Sequence, residues 1–383
     1  MDKTGLLHLA EKYEAPMLDL LREMVEINSY TYNKKGVDRV GEIVSDFMTN
    51  ELSFKRKVFP EDKLGNNLLF SRYHSQESKP VMFCGHMDTV FPPELGFNEF
   101  KVDNRFIYGP GVIDMKGGLV VGMFALVLLK ELGLLDSFNC QFLFNSDEEI
   151  GSPSSRNLIT QTAKECRCAF VLECGGLNGE VVTGRKGKFT AQIEAHGKSG
   201  HAAFIRNKKS AILELAHKTI KLEELNDFDN GVTVNVGVFN GGMGPNSVAE
   251  NATIKVDARF KTFQQERYLK ENLKTITLHS YVDGVVSTYQ LFAERPPMEQ
   301  TRQNKELYSL IKNEAIKLDI PVQEEFRFGV SDANLIAEAG IPVVDGMGPC
   351  GDKDHSTDEY MIKETFKQRS VLLAATLIAL QDT

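Results

Sequence analysis

Short apolar runs alternate with amphipathic stretches over the first third of the chain, as expected where strands alternate with helices. Residues 6–27 and 37–52 have apolar positions at helical spacing, and Pro16 interrupts the first of these segments. Residues 118–135 are apolar on nearly all faces, which predicts a helix buried against a sheet. Four short apolar runs predict strands, at residues 67–70, 81–84, 141–144 and 169–172. The predicted fold class is α/β, with a mostly parallel twisted sheet flanked by helices.

The pattern changes near Val181. Residues 189–195 alternate apolar and polar positions, as in a half-buried strand. Helical and alternating segments then complete the order β-α-β-β-α-β, at residues 210–222, 232–238, 252–260, 268–281 and 285–292. This order predicts an α+β open-faced sandwich of one antiparallel sheet and two helices. Helical segments and one apolar strand, 341–344, return after Pro297, so we expect a small domain, 183–293, inserted into a discontinuous domain of residues 1–182 and 294–383.

Composition narrows the class of protein. The chain has 383 residues and a net charge of −9, which fits two globular domains and argues against a nucleic-acid partner. The longest apolar runs, 117–129 and 371–380, fall short of the roughly 20 residues of a membrane-spanning helix. The amino terminus has no signal-peptide pattern, and the six cysteines form no disulfide framework. We therefore expect a cytoplasmic protein with reduced thiols and no membrane partner.

Histidine and acidic residues follow the apolar runs. His86 and Asp88 come after the strand-like run 81–84, and Asp114 lies in a glycine-rich turn before the buried helix. Alternate residues of an extended segment point to the same side, so Asp88 could accept the ring N–H of His86 and set its tautomer. Each motif alone has a simpler interpretation, because Asp114 could cap the helix and His86 could lie in an ordinary turn.

The acidic run that includes Glu148 and Glu149 directly follows another apolar strand. Crowded like charges at a strand end cost free energy unless a cation neutralises them. Glu173 follows the run 169–172, and His355 lies in a polar loop after the last apolar strand; either could also be an ordinary surface residue. Because carboxyl ends of parallel strands converge on one crevice, these residues together could hold two divalent metal ions and leave one carboxylate as a base.

These motifs resemble those of the clan MH di-zinc amidohydrolases. That family includes acetylornithine deacetylase, succinyl-diaminopimelate desuccinylase, peptidase T and the glutamate carboxypeptidases of the carboxypeptidase G type. The resemblance covers nearly the whole chain and rests on residues 84–88, 111–118, 147–151 and His355. It implies a catalytic domain with two Zn²⁺ per subunit, for which Co²⁺ or Mn²⁺ could substitute, and an inserted lid and dimerisation domain.

The resemblance also implies a role for each residue of the set. Asp114 would bridge the two ions. His86 and Glu173 would complete one metal site, and His355 and Glu149 the other.

Three further residues would take part in catalysis. Glu148 would be the general base, and Asp88 would orient His86. His201, from the inserted domain, would stabilise the oxyanion in the active site of the partner subunit of a homodimer. The alternative for His201 is an ordinary loop histidine.

The family's substrate-binding positions correspond to Asn246, Arg259 and Gly348, and Arg295 is a further candidate. The favoured function is a zinc-dependent metallocarboxypeptidase that hydrolyses a C-terminal amide bond and releases glutamate or another amino acid. The alternative is an N-acyl amino-acid deacylase that uses the same metal chemistry, so the substrate would be a small peptide or an N-acyl amino acid. A non-catalytic protein on this scaffold would bind metal without hydrolysing amides. A nucleotide-binding protein is disfavoured because no glycine fingerprint follows the first strand.

Overall fold

The chain forms two structural units, each with its own hydrophobic core. The computed structural model describes residues 3–75, 77–204 and 206–381. Unit 1 consists of Met1–Gly184, Gln300–Arg327 and Ser331–Thr383, and unit 2 of Arg185–Glu299 and Phe328–Val330. None of the helices within the described ranges combines the length and apolar character needed to cross a membrane.

The amino-terminal segment folds as helices α1 (Lys3–Glu11), α2 (Glu14–Val25) and α3 (Lys34–Asp46). Pro16 lies in the first turn of α2, where its missing N–H breaks no intrahelical hydrogen bond. The predicted helix 6–27 is therefore two helices. Asn33 caps α3 by accepting the N–H of Gly36, and a π-helical turn, Phe47–Glu51, follows this helix.

Eight strands and two α-helices of the described chain follow, as far as the end of the first part of unit 1. The elements are β1 (Lys55–Phe59), β2 (Asn67–Arg72), β3 (Val81–His86), β4 (Lys101–Val102), β5 (Phe106–Tyr108), α4 (Lys116–Glu131), β6 (Cys140–Asn145), α5 (Arg156–Glu165), β7 (Cys168–Val171) and β8 (Glu180–Arg185).

Unit 2 has the predicted β-α-β-β-α-β order. Its elements are β9 (Gly187–His196), α6 (Ala211–Glu223), β10 (Thr233–Gly241), β11 (Asn251–Phe260), α7 (Phe263–Leu278) and β12 (Val286–Arg295). The strands pair antiparallel in the order β10-β11-β9-β12, and buried positions alternate along β9. Helix α7 begins before the predicted position because Thr262 and Gln265 form a capping box. The predicted open-faced sandwich is thus confirmed.

The chain then returns to unit 1 for its remaining elements. These are α8 (Arg302–Leu318), β13 (Gln323–Arg327), α9 (Asp332–Glu338), β14 (Val343–Val344), β15 (Gly351–Asp352), β16 (Tyr360–Ile362) and α10 (Lys363–Gln381).

The main sheet of unit 1 has the strand order β1-β2-β6-β3-β7-β14. Strands β6, β3, β7 and β14 are parallel, whereas β1 and β2 add an antiparallel edge. Helix α4 is buried along nearly its whole length. A side chain at Gly118 would overlap the carbonyl oxygen of Leu172, so glycine permits the close approach of this helix to the sheet. The predicted α/β class is confirmed, and the parallel strands end on the same side of the sheet.

A second, small sheet of unit 1 has the order β15-β16-β5-β4. Tyr360 pairs with Tyr108, and Ile362 pairs with Phe106. Strand β5 leads into the turn of Asp114, and β16 follows the loop of His355. This pairing therefore holds two segments that are distant in sequence beside each other.

Candidate metal centre

Each predicted metal ligand lies at the end of a core element or in an adjoining turn. His86 is the last residue of β3, and Glu173 comes two residues after β7. Glu149 lies in a 3-10 turn, Glu148–Ile150, that follows β6. Asp114 precedes α4, and His355 lies between β15 and β16.

Asp114 contacts both histidines through different oxygens. Its Oδ1 is 3.0 Å from Nε2 of His86, and its Oδ2 is 3.1 Å from Nε2 of His355. Oε1 of Glu173 lies 3.7 Å from the same nitrogen of His86. Oε2 of Glu149 lies 3.1 Å from Nε2 of His355. The five residues therefore form two imidazole–carboxylate groups that share Asp114.

Burial and mutual repulsion shape the electrostatics of these acids. Burial raises the pKa of Glu149 to about 7, and the charge of Asp114 adds to this shift. Burial also raises the pKa of Glu173 well above its usual value, again with a contribution from Asp114. Hydrogen bonds to Asp114 and Glu149 raise the pKa of His355 to about 11. The raised pKa values mean that protons on His355, Glu149 and Glu173 would reduce the repulsion between these carboxylates when no cation is bound.

The donor set fits divalent metal ions. Ligand atoms of His86, Asp114 and Glu149 all lie within 4.8 Å of one another. Glu149 has a side chain only 5% exposed, and its Oε1 has no hydrogen-bond partner among the described residues. A buried oxygen without a donor carries a desolvation cost that a cation would offset. Imidazole nitrogens and carboxylate oxygens are ligands that zinc and related metals accept.

Asp88 forms hydrogen bonds that hold His86 and the turn of Glu148 and Glu149 in place. Nδ1 of His86 is 3.0 Å from the backbone carbonyl oxygen of Asp88 and 3.4 Å from its Oδ1. The carbonyl is thus the nearer acceptor, although the sequence indicated the carboxylate. The buried carboxylate instead accepts hydrogen bonds from Oγ1 of Thr31 at 2.7 Å and from the N–H groups of Glu148 and Glu149 at 3.3 Å. Asp88 therefore connects the histidine to the acidic turn.

Glu359 organises the turn that carries Asp114, and sequence reasoning missed it. Its carboxylate is fully buried and accepts the N–H groups of Gly111, Ile113 and Asp114 at 2.9, 2.9 and 3.2 Å. Burial raises the pKa of Glu359 to about 8, although the N–H bonds act to lower it. The signal in the sequence was only an acid four residues after His355.

Lys116 is a second buried group that the sequence did not single out. Its Nζ donates to the carbonyl oxygens of Met24 and Ile27 at 3.0 and 3.1 Å. These carbonyls lie at and beyond the carboxyl end of α2, where backbone carbonyl groups have no N–H partner within the helix. Burial lowers the pKa of Lys116 to about 7. The lysine thereby fixes the start of α4 to α2.

Two of the predicted catalytic and substrate-binding residues lie on adjoining loops of unit 2. His201 is exposed, and its Nδ1 accepts the N–H of Ala203 at 3.3 Å. His201 also forms a β-bridge with Ser247, and the carbonyl of Asn246 accepts the N–H of Ala202 at 3.0 Å. Within unit 2, His201 and Asn246 are therefore neighbours.

The other substrate-binding candidates have different surroundings. In unit 2, Nε of Arg259 lies 3.0 Å from the carboxylate of Asp257, and Nη1 donates to the carbonyl of Phe328. Arg295, at the end of β12, is only 3% exposed. Gly348 is in unit 1, where its N–H donates to the carbonyl of Glu173 at 2.9 Å. Gly348 thus directly adjoins a predicted metal ligand.

Comparisons with known proteins identify the family of the chain. A family model described as peptidase family M20/M25/M40 matches residues 82–379. Carboxypeptidase G2 of Pseudomonas sp. (strain RS-16) is 25% identical over 381 residues, which cover 97% of this chain and 91% of the relative. Succinyl-diaminopimelate desuccinylase of Helicobacter pylori (strain G27) is 27% identical over 323 residues, which cover 79% and 80%. The crystal structure of aminopeptidase PepT from Bacillus cereus has a TM-score of 0.77 at 23% identity, and covers 96% of this chain and 99% of the other.

Proposed function

Because the chain belongs to peptidase family M20/M25/M40 and is a metal-dependent amidohydrolase of that family, we propose that it is a metallocarboxypeptidase. It would hydrolyse a C-terminal amide bond and release an amino acid such as glutamate. The proposal draws on the resemblance of nearly the full chain to the relative named carboxypeptidase G2.

The observation that carries the metal chemistry is the position of Asp114 between two imidazoles, at 3.0 and 3.1 Å. We assign His86, Asp114 and Glu173 to one cation and His355, Asp114 and Glu149 to the other, with zinc as the expected metal. Bound divalent ions would polarise the scissile carbonyl and lower the pKa of water.

Glu148 is the proposed general base. Its neighbour Glu149 lies against His355, while the charge of Glu148 contributes to the raised pKa of Glu173. We assign the two adjacent acids separate roles. Glu148 would take a proton from the attacking water and return it to the leaving nitrogen. Asp88 would keep the acidic turn and His86 aligned.

Residues of unit 2 would recognise the substrate. We propose that Asn246 and Arg259 hold the terminal carboxylate, which suits a guanidinium and an amide donor. Arg295 would support this positive region, and Gly348 would offer its backbone to the substrate. His201 would stabilise the developing oxyanion, in the active site of the partner subunit of a homodimer.

A substrate panel tests the proposed specificity. The metal-depleted protein is reloaded with Zn²⁺, Co²⁺ or Mn²⁺ and assayed on Xaa-Glu peptides and on N-acetyl and N-succinyl amino acids. We expect kcat/KM to be at least about tenfold higher for the peptides, a difference of about 1.4 kcal/mol in transition-state binding. Faster release of acetate or succinate would instead identify a deacylase.

The general base is tested by Glu148→Gln. We expect this variant to bind the same number of metal ions as the unaltered protein and to lose about 10²- to 10⁴-fold in kcat. Glu165→Gln changes an exposed acid at the end of α5 and serves as the matched control. Retained turnover in the Glu148 variant, with the metals bound, would contradict the assignment.

The proposed trans role of His201 is tested by mixing inactive variants. His201→Ala and Asp114→Asn subunits, once exchanged, would form hybrid dimers in which one of the two sites is intact. Half of the dimers would be hybrids, so we expect about a quarter of normal activity. An inactive mixture, with exchange verified by mass spectrometry, would show that His201 does not act across subunits.

A further inference from the structure

We infer that Asp354 is an additional carboxylate ligand for the cation beside His355. This inference rests on the proposed metallohydrolase function and makes its two metal sites unequal. A side-chain oxygen of Asp354, one of Asp114 and a ring nitrogen of His355 all lie within 4.8 Å of one another. Ligand atoms about 2.1 Å from one ion are at most about 4.2 Å apart, so a small side-chain adjustment would let all three reach a common cation.

A separate observation indicates a cation beside Glu149, which contacts His355. Oε2 of Glu149 lies 3.1 Å from Nε2 of His355, while its buried Oε1 lacks a hydrogen-bond partner among the described residues. The side chain of Glu149 is only 5% exposed, so water reaches it poorly. An oxygen that has lost water and gained no donor is stabilised by a cation.

Asp354 also differs from the other acids of its loop. Oδ1 of Asp352 accepts the N–H of Lys353, and Oδ2 of Asp358 lies 3.6 Å from Nζ of the same lysine. Neither a hydrogen bond nor an ion pair engages the carboxylate of Asp354 among the described residues, and Asp354 is the acid of this loop that belongs to a candidate ligand group with Asp114. The local cation of the loop is thus paired with Asp358, and Asp354 stays available to the metal centre.

The two sites would then differ in chemistry. The His355 side would have three carboxylates, from Asp114, Glu149 and Asp354, whereas the His86 side would have two, from Asp114 and Glu173. Additional negative charge strengthens the binding of a divalent ion. Mn²⁺ also prefers carboxylate oxygens to softer ligands such as imidazole nitrogen. We therefore assign the His355 side as the oxygen-rich site, with the greater relative preference for Mn²⁺.

The test is a Mn²⁺ titration of the metal-depleted full-length protein, with free Mn²⁺ followed by electron paramagnetic resonance. Asp354→Asn removes the charge and keeps the shape, and Asp358→Asn removes an equal charge from the same exposed loop. We expect Asp354→Asn to weaken one of two Mn²⁺ sites by at least about tenfold, as changes around metal ligands do. Asp358→Asn should leave both dissociation constants unchanged.

Equal affinities in Asp354→Asn and the unaltered protein would overturn the inference. Equal weakening by the two variants would also overturn it, because a general loss of loop charge would then explain the effect. The readout is independent of catalysis. Two bound Mn²⁺ ions without hydrolysis of any amide would refute the proposed function and leave the ligand role of Asp354 supported by its own titration.

Discussion

Replacing Asp88 with asparagine tests how a buried carboxylate aligns the metal centre. Oδ2 accepts hydrogen bonds from Thr31 and from the N–H of Glu149, while Oδ1 accepts the N–H of Glu148 and lies 3.4 Å from Nδ1 of His86. The side chain is fully buried, so water cannot replace a lost acceptor. Either orientation of the new amide would turn an NH₂ group towards the backbone N–H of Glu148 or Glu149.

The magnitude follows from these contacts. A hydrogen bond to a charged acceptor contributes about 1.5–3 kcal/mol, and at least one is lost while the others weaken. We expect a net effect of about 2 kcal/mol, which is about 30-fold in kcat/KM. This lies within the roughly 10- to 100-fold losses that follow changes behind metal-binding histidines. Thr31→Val is the matched control, because it removes one hydrogen bond of 2.7 Å and keeps the carboxylate charge. It should cost about 1 kcal/mol, or about fivefold.

The assay compares kcat/KM of the two variants on the best substrate of the panel, after reloading with Zn²⁺. Metal content per subunit and the far-ultraviolet circular dichroism spectrum are measured alongside. An Asp88→Asn enzyme with normal kcat/KM and full metal content would refute the alignment role. Equal losses in the two variants would assign the effect to the threonine hydroxyl and not to the charge.

Three other features give measurable predictions. A side chain at Gly348 would overlap the carbonyl oxygen of Leu172 and lie 2.7 Å from that of Glu173, so Gly348→Ala should weaken metal binding; unchanged metal affinity would contradict this. Lys218→Met should cost about 3–5 kcal/mol in urea unfolding, because it breaks a fully buried ion pair of 2.6 Å with Glu214, and adding Glu214→Gln should restore part of the loss. Burial raises the pKa of three thiols from 9.0 to about 12, those of Cys140, Cys166 and Cys168. Their contribution to stability is complete below pH 9 and is lost as pH rises towards 12. The free energy of unfolding should therefore fall by up to about 1.4 kcal/mol per thiol and pH unit in this range. A free energy of unfolding that does not change between pH 9 and pH 12 would exclude this effect.

The parts of the fold that the sequence predicted are those with strong apolar patterns. Strands β3 and β6 are buried at every position, and α4 is buried on nearly all faces, so most of their residues are apolar. Strand β1, Lys55–Phe59, has the opposite character, with four exposed positions and three basic residues at the sheet edge. Basic side chains protect an edge strand from pairing with other chains, and they also hide it from a search for apolar runs.

The clustering of the candidate metal ligands was predictable to the level of residue type and position. An acid or histidine directly after a buried strand is expected in the crevice at the strand ends, which is where His86, Glu149 and Glu173 lie. The division of contacts between the two imidazoles was not predictable from spacing, because it depends on which oxygen of Asp114 faces which ring. That division came from the resemblance to a known family and stays a prediction.

Thr31 and Glu359, which orient parts of the centre, were not predicted from the sequence for a different physical reason. Thr31 meets Asp88 across 57 residues of sequence, and Glu359 meets Gly111 across 248. In the sequence, Glu359 belongs to a polar, acidic loop, which is the usual pattern of a solvated surface. Its burial becomes tolerable only where three backbone N–H groups converge on it, and that convergence exists only once β16 has paired with β5. Local patterns therefore reveal groups that can bind a metal, whereas the donors that orient those groups are set by tertiary pairing. Asp88 was predicted because it lies two residues from His86, whereas Thr31 and Glu359, which orient the centre without binding a metal, are for this reason found only in the folded structure.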